Sequence, residues 1–304
     1  MTMASSNSMG RQSYPIDHKM MKEFARKHPI FRIDSPSLEE IAAFHEDGFV
    51  AYPNVLTNEG QQGFTDEILS RDRVVEFFET TEAERSKPDN PQDFVWRNWD
   101  DKGPWSDQLF DAPFVKALMR ETVGQEVHFC HSTMHFALRG SGPIPFHQDH
   151  HHWRHENPVN LAERDKWYIQ MLYYPIGFKR EDKSLSAIAG SHRVAPTSDV
   201  TAERMLAGEF DEQAGRELKQ VDLELPPGSM VFLNARTFHA VSAKPLDSPQ
   251  ECRIFVNYIF KEAGPPHRYT QPIQPEWLEL ADPERKRLFQ REHWTEDCWS
   301  RWMA

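Results

Sequence analysis

The sequence contains few cysteines and no long apolar segment. The three cysteines, Cys130, Cys252 and Cys298, are odd in number, widely spaced and form no CxxC pair. This pattern excludes a disulfide framework and a cysteine-based zinc knuckle, and it favours a reducing, cytoplasmic location. Because no apolar run reaches about 18 residues, the sequence predicts no transmembrane helix. Residues 1–15 also lack the apolar stretch of a secretory signal, and we expect them to be disordered.

Positive charge is scarce as well. The 304 residues include 35 lysines and arginines against 47 aspartates and glutamates, which gives a formal net charge of −12. This excess of acidic groups argues against nucleic acid or an anionic membrane as a partner, and it disfavours a polyanionic substrate such as a coenzyme A thioester. The hydrophobic fraction of 38% is ordinary for a folded domain. Since no flexible linker divides the chain, we expect a single domain over residues 1–304.

Helical patterns lie near both ends of the sequence. Residues 35–48 (SPSLEEIAAFHEDG) combine a serine cap, an apolar face and a terminal glycine, which predicts a short helix. Residues 49–55 then predict a strand, and residues 57–71 predict a second helix with one apolar side. Near the other end, the Asp-Pro pair at 282–283 predicts a helix start, and we expect C-terminal helices over 275–304.

The last segment also carries a group of tryptophans. Trp294, Trp299 and Trp302 are spaced to share one helical face. This arrangement is typical of packing or of a contact between subunits rather than of chemistry, and it suggests a homodimer that forms through the C-terminal aromatic helix.

The middle of the sequence has the texture of a β protein. Short segments rich in β-branched and aromatic residues alternate with turns of proline, glycine and aspartate across residues 126–260. The candidate strands are 126–138, 167–177, 228–233 and 251–260, of which the last is the clearest. This pattern predicts a mainly β fold, a sandwich or barrel core with flanking helices.

A long aromatic segment precedes this core. Residues 85–108 contain three prolines and three tryptophans, Trp96, Trp99 and Trp105. We expect a loop, and two interpretations stay open: an aromatic staple, or a lid over a binding site with Trp96 as a substrate contact.

A metal site is indicated by the stretch PIPFHQDHHHWRHE, residues 143–156. Residues two apart in a strand point to the same side, so His147 and Asp149 can reach one ion. A third ligand is offered by His239, at the end of a strand that follows the Pro-Pro-Gly turn of residues 226–228. Two histidines and one carboxylate on one face of an octahedral ion leave three positions open, as in non-haem Fe(II) oxygenases.

The open positions predict a chelating co-substrate. For 2-oxoglutarate, the distal carboxylate requires a fixed cation, and Arg253 lies in an apolar strand directly after the His239 strand. A guanidinium holds a carboxylate through two parallel hydrogen bonds, which a lysine cannot do.

These motifs resemble the phytanoyl-CoA dioxygenase family of Fe(II)/2-oxoglutarate oxygenases. The similarity rests on HQD at 147–149, PPGSMVFLNARTFHAVS at 226–242, the following arginine, AIAGSHR at 187–193 and the opening helix and strand. It runs from about residue 37 to residue 259. The resemblance implies a double-stranded β-helix (a jelly roll, as in cupins) with Fe(II), 2-oxoglutarate and O2 as cofactor and co-substrates.

The same resemblance assigns roles to residues. It implies His147, Asp149 and His239 as the iron ligands and Arg253 as the co-substrate anchor. It also suggests Gln170 as a further co-substrate contact, and Gln148, between two of the ligands, is a candidate for the same role. Because Asp149 is present where related halogenases have a small residue, the resemblance favours hydroxylation or a related oxidation.

The remaining histidines receive plainer interpretations. The four at 150, 151, 152 and 155 are interpreted as solvated loop residues, with His152 or Trp153 lining a substrate pocket as the alternative. Those at 128, 131 and 135 alternate irregularly along a strand, and packing in the core or in a pocket is favoured over metal binding.

The sequence therefore predicts an oxygenase that acts on a small organic molecule. A secondary-metabolism intermediate is favoured over an acyl-CoA, and release of succinate and CO2 is expected. Two other classes stay open: a cupin-like zinc hydrolase or isomerase, which would have no use for Arg253, and a jelly-roll binding module without enzymatic activity.

Overall fold

The computed structural model describes residues 18–80, 92–100, 102–123, 127–149, 168–195, 199–262, 270–279 and 281–290. The expectations for residues 1–15, for His152 and Trp153, and for the C-terminal tryptophans from Trp294 onward lie outside these ranges.

Helices and strands alternate in blocks along the chain. The described helices are α1 (His18–Lys27), α2 (Leu38–Asp47), α3 (Asn58–Leu69), α4 (Asp72–Glu79), α5 (Pro104–Asp111), α6 (Pro113–Thr122), α7 (Ala202–Leu206), α8 (Asp211–Ala214) and α9 (Pro283–Leu288). The described strands are β1 (Phe49–Tyr52), β2 (Asp93–Arg97), β3 (Val127–Leu138), β4 (Ile144–His147), β5 (Tyr168–Tyr174), β6 (Leu185–Ala189), β7 (Lys219–Asp222), β8 (Ser229–Asn234), β9 (His239–Val241) and β10 (Cys252–Glu262).

The strands form two antiparallel sheets. The larger has the order β1-β8-β5-β10-β3-β2 and the smaller the order β4-β9-β6-β7. This confirms the predicted mainly β fold with flanking helices, and two sheets with a cavity between them fit the expected jelly roll. The larger sheet reaches beyond the predicted β core, because β1 and β2 come from upstream of residue 126.

Alternation along the strands gives the larger sheet two different faces. On β10, Ile254, Val256 and Tyr258 belong to a hydrophobic core shared with the helices. Phe110 of α5, for example, packs against Tyr258 with ring centroids 5.1 Å apart. The residues between them on β10 point instead into the cavity between the sheets; these are Arg253, Phe255, Asn257 and Ile259.

The described part of segment 85–108 differs from the predicted loop. Residues Asp93–Arg97 form edge strand β2, which pairs with β3, and Pro104–Asp111 form helix α5. Trp99 is fully buried in the core. Proline at the first helical position and valine and aromatic residues in β2 account for these elements, whereas the high proline content alone suggested a loop.

Helix α2 begins and ends as the sequence predicts. Ser37 and Glu40 form a capping box at its start, and Gly48 ends it in the left-handed conformation with a φ of 83°. Gly48 also holds the chain that leads into β9, because its carbonyl accepts a 2.9 Å hydrogen bond from Thr237 Oγ1, two residues before His239. A β-carbon at Gly48 would lie 2.3 Å from that same Oγ1.

We therefore expect Gly48→Ala to lower the free energy of unfolding by about 3 kcal/mol, because it adds a steric clash to an unfavourable φ. The matched control is Gly215→Ala, which has a φ of 70° and no atom within 4 Å of the added carbon. That control should lose only about 1 kcal/mol. Equal losses in urea unfolding would contradict the clash at Gly48.

Candidate active site

Strand pairing brings two histidines together. His147, the last residue of β4, lies directly opposite His239, the first residue of β9. Opposed side chains of an antiparallel pair are close neighbours. The two imidazole rings accordingly have centroids 4.3 Å apart.

Asp149 completes a group of three metal-ligating side chains. Its backbone N–H donates to the carbonyl of Ala235 at 3.1 Å. Its Oδ1 lies 3.6 Å from Nε2 of His147, and its Oδ2 lies 3.3 Å from Nε2 of His239. One potential ligand atom from each residue lies within 4.8 Å of the others, a spacing that suits a single ion.

Both imidazoles are oriented by backbone carbonyls. Nδ1 of His147 is 2.9 Å from the carbonyl oxygen of Pro145, and Nδ1 of His239 is 2.9 Å from that of Thr237. Since a carbonyl only accepts, each Nδ1 carries the hydrogen. In the neutral rings the lone pair is then on Nε2, the atom that faces Asp149, as metal ligation requires.

The charges of the three groups also suit a cation. Burial acts to raise the pKa of Asp149, but its interactions with the imidazoles of His147 and His239 outweigh burial and hold this pKa well below its usual range. Burial acts to lower the pKa of His147, yet Asp149 raises it above its usual value. A divalent cation bound by these atoms replaces the shared protons, so metal affinity should rise with pH.

Two amide side chains hold the carboxylate. Nε2 of Gln170 donates to Oδ2 of Asp149, and Nδ2 of Asn257 donates to Oε1 of Gln170. Gln170 was predicted to contact the co-substrate. Its side chain lines the cavity, and its amide N–H group donates to Asp149. Asn257 was not predicted as a site residue. It lies four residues after Arg253 on β10, and alternation along a strand places both side chains on one face.

Gln148 and Trp96 lie elsewhere than predicted. The amide of Gln148 donates to the carbonyl of Arg236, and Gln148 is not among the residues that line the cavity, because it points away from its two neighbours. Trp96 packs in the core on the other face of β2, with the guanidinium of Arg73 4.5 Å from its ring. Its neighbours Val95 and Arg97 line the cavity instead.

The cavity between the sheets has a volume of about 310 Å³. The three candidate metal ligands and Arg253 line it together. The histidines of β3 at its wall, His131 and His135, confirm the expectation that these residues pack in the core or in a pocket.

Arg253 is buried in this cavity with few polar partners. It is 2% exposed, and its guanidinium lies 5.0 to 5.4 Å from the rings of Tyr174, Phe178 and Phe255. One long hydrogen bond of 3.4 Å joins Nη2 to the Tyr174 hydroxyl, and within the described residues Nε has no acceptor. Burial lowers the pKa of this guanidinium. Because burying a charge without a counter-ion is unfavourable, the site suits an anion.

The fold and the site together define a class of protein. A cavity between two antiparallel sheets that contains two histidines, one carboxylate and a buried arginine is the arrangement of non-haem Fe(II) oxygenases that use 2-oxoglutarate. Residues 44–245 match the family model described as phytanoyl-CoA dioxygenase (PhyH). The chain belongs to the phytanoyl-CoA dioxygenase family. This confirms the predicted class of enzyme, a 2-oxoglutarate-dependent dioxygenase with Fe(II), 2-oxoglutarate and O2 as its cofactor and co-substrates.

Several solved structures share the fold. The epimerase SnoN from nogalamycin biosynthesis has a TM-score of 0.56 and 16% identity, over 78% of this chain and 94% of SnoN. HygX from Streptomyces hygroscopicus, crystallised with nickel and 2-oxoglutarate, has a TM-score of 0.54 and 17% identity, over 75% of this chain and 87% of HygX. EctD from S. alaskensis, with 2-oxoglutarate and 5-hydroxyectoine, has a TM-score of 0.55 and 18% identity, over 84% of each chain.

No curated protein sequence matches this chain. Among the described residues, no helix has the length and apolar character needed to cross a membrane.

Proposed function

We propose that His147, Asp149 and His239 bind Fe(II), and that Arg253 binds the distal carboxylate of 2-oxoglutarate in the same cavity. The observation that carries this proposal is the burial of Arg253 without a carboxylate partner among the described residues. A zinc hydrolase or isomerase of cupin type would use the same three ligands but would leave this guanidinium without a function.

The reaction is the oxidation of an unactivated C–H bond of a small organic molecule. When bound, iron with 2-oxoglutarate and O2 supplies the oxidant and leaves succinate and CO2. The chain itself fixes the geometry. The Asn257–Gln170 pair orients Asp149, the carbonyls of Pro145 and Thr237 orient the two imidazoles, and Arg253 fixes the far end of the co-substrate.

The walls of the cavity protect the co-substrate from water. Aliphatic side chains pack with Tyr174 and Phe255 in one cluster around the Arg253 end; those that line the cavity are Ile144, Leu172, Leu185 and Val241. Excluding water there strengthens the ion pair between the guanidinium and a carboxylate.

The substrate class that we propose is a secondary-metabolism intermediate. SnoN comes from nogalamycin biosynthesis, and HygX has been crystallised with hygromycin B, so enzymes of this fold act in such pathways. The net charge of −12 also disfavours the polyanionic acyl-CoA alternative. Oxidation of an acyl-CoA in preference to uncharged small molecules would overturn this choice.

The oxygenase is distinguished from the hydrolase and from the binding module by one assay. Metal-free protein is loaded with Fe(II) or Zn(II) and incubated with 2-oxoglutarate and O2, and succinate is measured by mass spectrometry. We expect succinate from the Fe(II)-loaded protein and none from the Zn(II)-loaded protein. Without O2, neither should form succinate. Succinate formation that is equal with both metals, or absent with both, would contradict the oxygenase assignment.

Three expectations concern domain organisation, location and oligomeric state. We propose a single domain over residues 1–304, a cytoplasmic location, and a homodimer through Trp294, Trp299 and Trp302. Analytical ultracentrifugation tests the dimer, since a monomer at micromolar concentration would exclude it, and fractionation of the native cells tests the location. Limited proteolysis that releases two stable folded fragments would contradict the single domain.

A further inference from the structure

We propose that His135 binds the distal carboxylate of 2-oxoglutarate beside Arg253, and that it takes up a proton when this co-substrate binds. The inference rests on the proposed function, in which Arg253 is the anchor, and it adds a second, titratable group to that anchor.

The geometry places His135 and Arg253 against one aromatic ring. His135 on β3 lies directly opposite Phe255 on β10. The Phe255 ring packs against the His135 imidazole, with centroids 5.2 Å apart, and it also lies 5.1 Å from the Arg253 guanidinium. All three side chains line the cavity. A carboxylate bound to Arg253 therefore lies against the same aromatic ring as the imidazole.

Three polar groups can meet a carboxylate at this end of the cavity. The guanidinium of Arg253 is hydrogen-bonded to the Tyr174 hydroxyl, and the imidazole of His135 packs on Phe255 beside it. The aliphatic lining residues around them belong to the cluster that includes Tyr174 and Phe255. Since a carboxylate has about four acceptor positions, an additional donor beside Arg253 improves its binding.

A buried relay fixes the His135 ring. Nε2 of His135 lies 3.1 Å from Oδ1 of Asp93, which also accepts a 2.7 Å hydrogen bond from Ser141 Oγ. The ammonium of Lys183 in turn donates to Ser141 Oγ at 2.6 Å. Asp93 is held ionised, because its hydrogen bonds from His135 and Ser141 outweigh burial and lower its pKa. An ionised Asp93 keeps the hydrogen of the ring on Nε2 and leaves Nδ1 for a ligand.

The charges that face His135 come from three elements: Asp93 on β2, Arg253 on β10 and Lys183 before β6. Burial lowers the pKa of His135; Asp93 raises it, Arg253 and Lys183 lower it further, and the net shift is downward. The ring is therefore neutral at neutral pH before the co-substrate binds. A bound carboxylate offsets the charge of Arg253 and accepts a hydrogen bond from a protonated Nδ1, so binding favours the imidazolium.

The direction of the pH dependence follows from this coupling. The pKa of His135 is low in the free protein and higher in the complex, so a proton is bound together with 2-oxoglutarate between these two values. Affinity should therefore weaken as pH rises, by at most about tenfold per pH unit, and become constant above the pKa of the complex. Both carboxylates of 2-oxoglutarate stay ionised in this range and do not contribute.

Calorimetry of the Fe(II)-loaded protein under anaerobic conditions tests the proposal. 2-Oxoglutarate is titrated at one pH into buffers of different ionisation enthalpy, and the slope of the binding enthalpy gives the number of protons exchanged. For the unaltered protein we expect net proton uptake and a dissociation constant that rises with pH; the measurements are kept below the pKa of Lys183, which burial lowers to about 8. Because the metal is already bound, its own proton release does not enter the slope.

Variants show which residue takes up the proton when 2-oxoglutarate binds. We expect His135→Asn to bind 2-oxoglutarate about tenfold more weakly, without proton uptake and with a constant affinity across the pH range. His128→Asn is the matched control, because His128 is a buried histidine of the same strand that does not line the cavity. It should retain both proton uptake and pH dependence. If His135→Asn does not fold, His135→Gln gives the same comparison, and the measurement on the unaltered protein needs no variant.

The outcomes separate this inference from the proposed function. Binding that depends on Arg253 but exchanges no proton, or uptake that persists in His135→Asn, would overturn the role of His135 alone. Absence of 2-oxoglutarate binding by folded, Fe(II)-loaded protein would overturn the proposed function and, with it, the role of His135.

Discussion

We expect Asp149→Ala to abolish Fe(II)-dependent succinate formation and to leave the fold intact. The substitution removes one of the three proposed ligands and the negative charge that would attract the cation, and we expect iron affinity to fall by more than about 100-fold. The side chain is 39% exposed, lies two residues after the end of β4 and does not belong to the hydrophobic core, so the free energy of unfolding should change little. His147→Ala should have the same effect on turnover. Succinate, bound iron and urea unfolding are measured on each variant.

The matched control is Asp222→Ala. Asp222 belongs to the four-stranded sheet that also contains His147. It accepts hydrogen bonds from Ser186 and Gln220, but it does not line the cavity. This variant should keep full turnover. Turnover at the level of the unaltered protein in Asp149→Ala would refute the assignment of the iron ligands.

Replacing Arg253 by methionine tests whether this residue binds 2-oxoglutarate or only stabilises the fold. Methionine approximates the volume of the arginine side chain without its charge. Removing a buried guanidinium that has no carboxylate partner among the described residues should leave the unfolding free energy unchanged or raise it. Affinity for 2-oxoglutarate should fall by more than about 100-fold, because the distal carboxylate then becomes buried without a counter-charge. Iron affinity should stay unchanged.

Arg253→Lys serves as the intermediate case. It keeps the charge but not the two parallel donors, and its affinity for 2-oxoglutarate should lie between those of the unaltered protein and Arg253→Met. Calorimetry measures 2-oxoglutarate affinity, and thermal unfolding measures stability. Loss of stability in Arg253→Met with unchanged 2-oxoglutarate affinity would make Arg253 a structural residue and would favour the hydrolase alternative.

Part of the candidate metal site could be predicted from the sequence because its geometry is local. His147 and Asp149 are two residues apart, and His239 follows soon after a Pro-Pro-Gly turn and a strand. That strand was expected to run to His239, but β8 ends at Asn234 and His239 begins β9. The capping signals of α2 were equally readable, since Ser37, Glu40 and Gly48 act within one helix. In each case the physical cause lies within a few residues of its effect.

The surroundings of the site could not be predicted because they depend on strand pairing. The His135–Asp93 contact exists only because β2 pairs with β3, and the proline-rich sequence around β2 suggested a loop. The same misreading assigned Trp96 to the substrate, whereas alternation in a strand turns it into the core and points Val95 and Arg97 to the cavity. Once β2 is known to be a strand, these directions follow directly.

The central claim is that one cavity binds Fe(II) and 2-oxoglutarate together. It is tested most directly by titrating 2-oxoglutarate into the Fe(II)-loaded protein without oxygen and following the visible charge-transfer absorption of the iron chelate. We predict a saturable band that requires both Fe(II) and 2-oxoglutarate and that is lost in Asp149→Ala. Folded protein that develops no band, or a band that persists in Asp149→Ala, would contradict the claim.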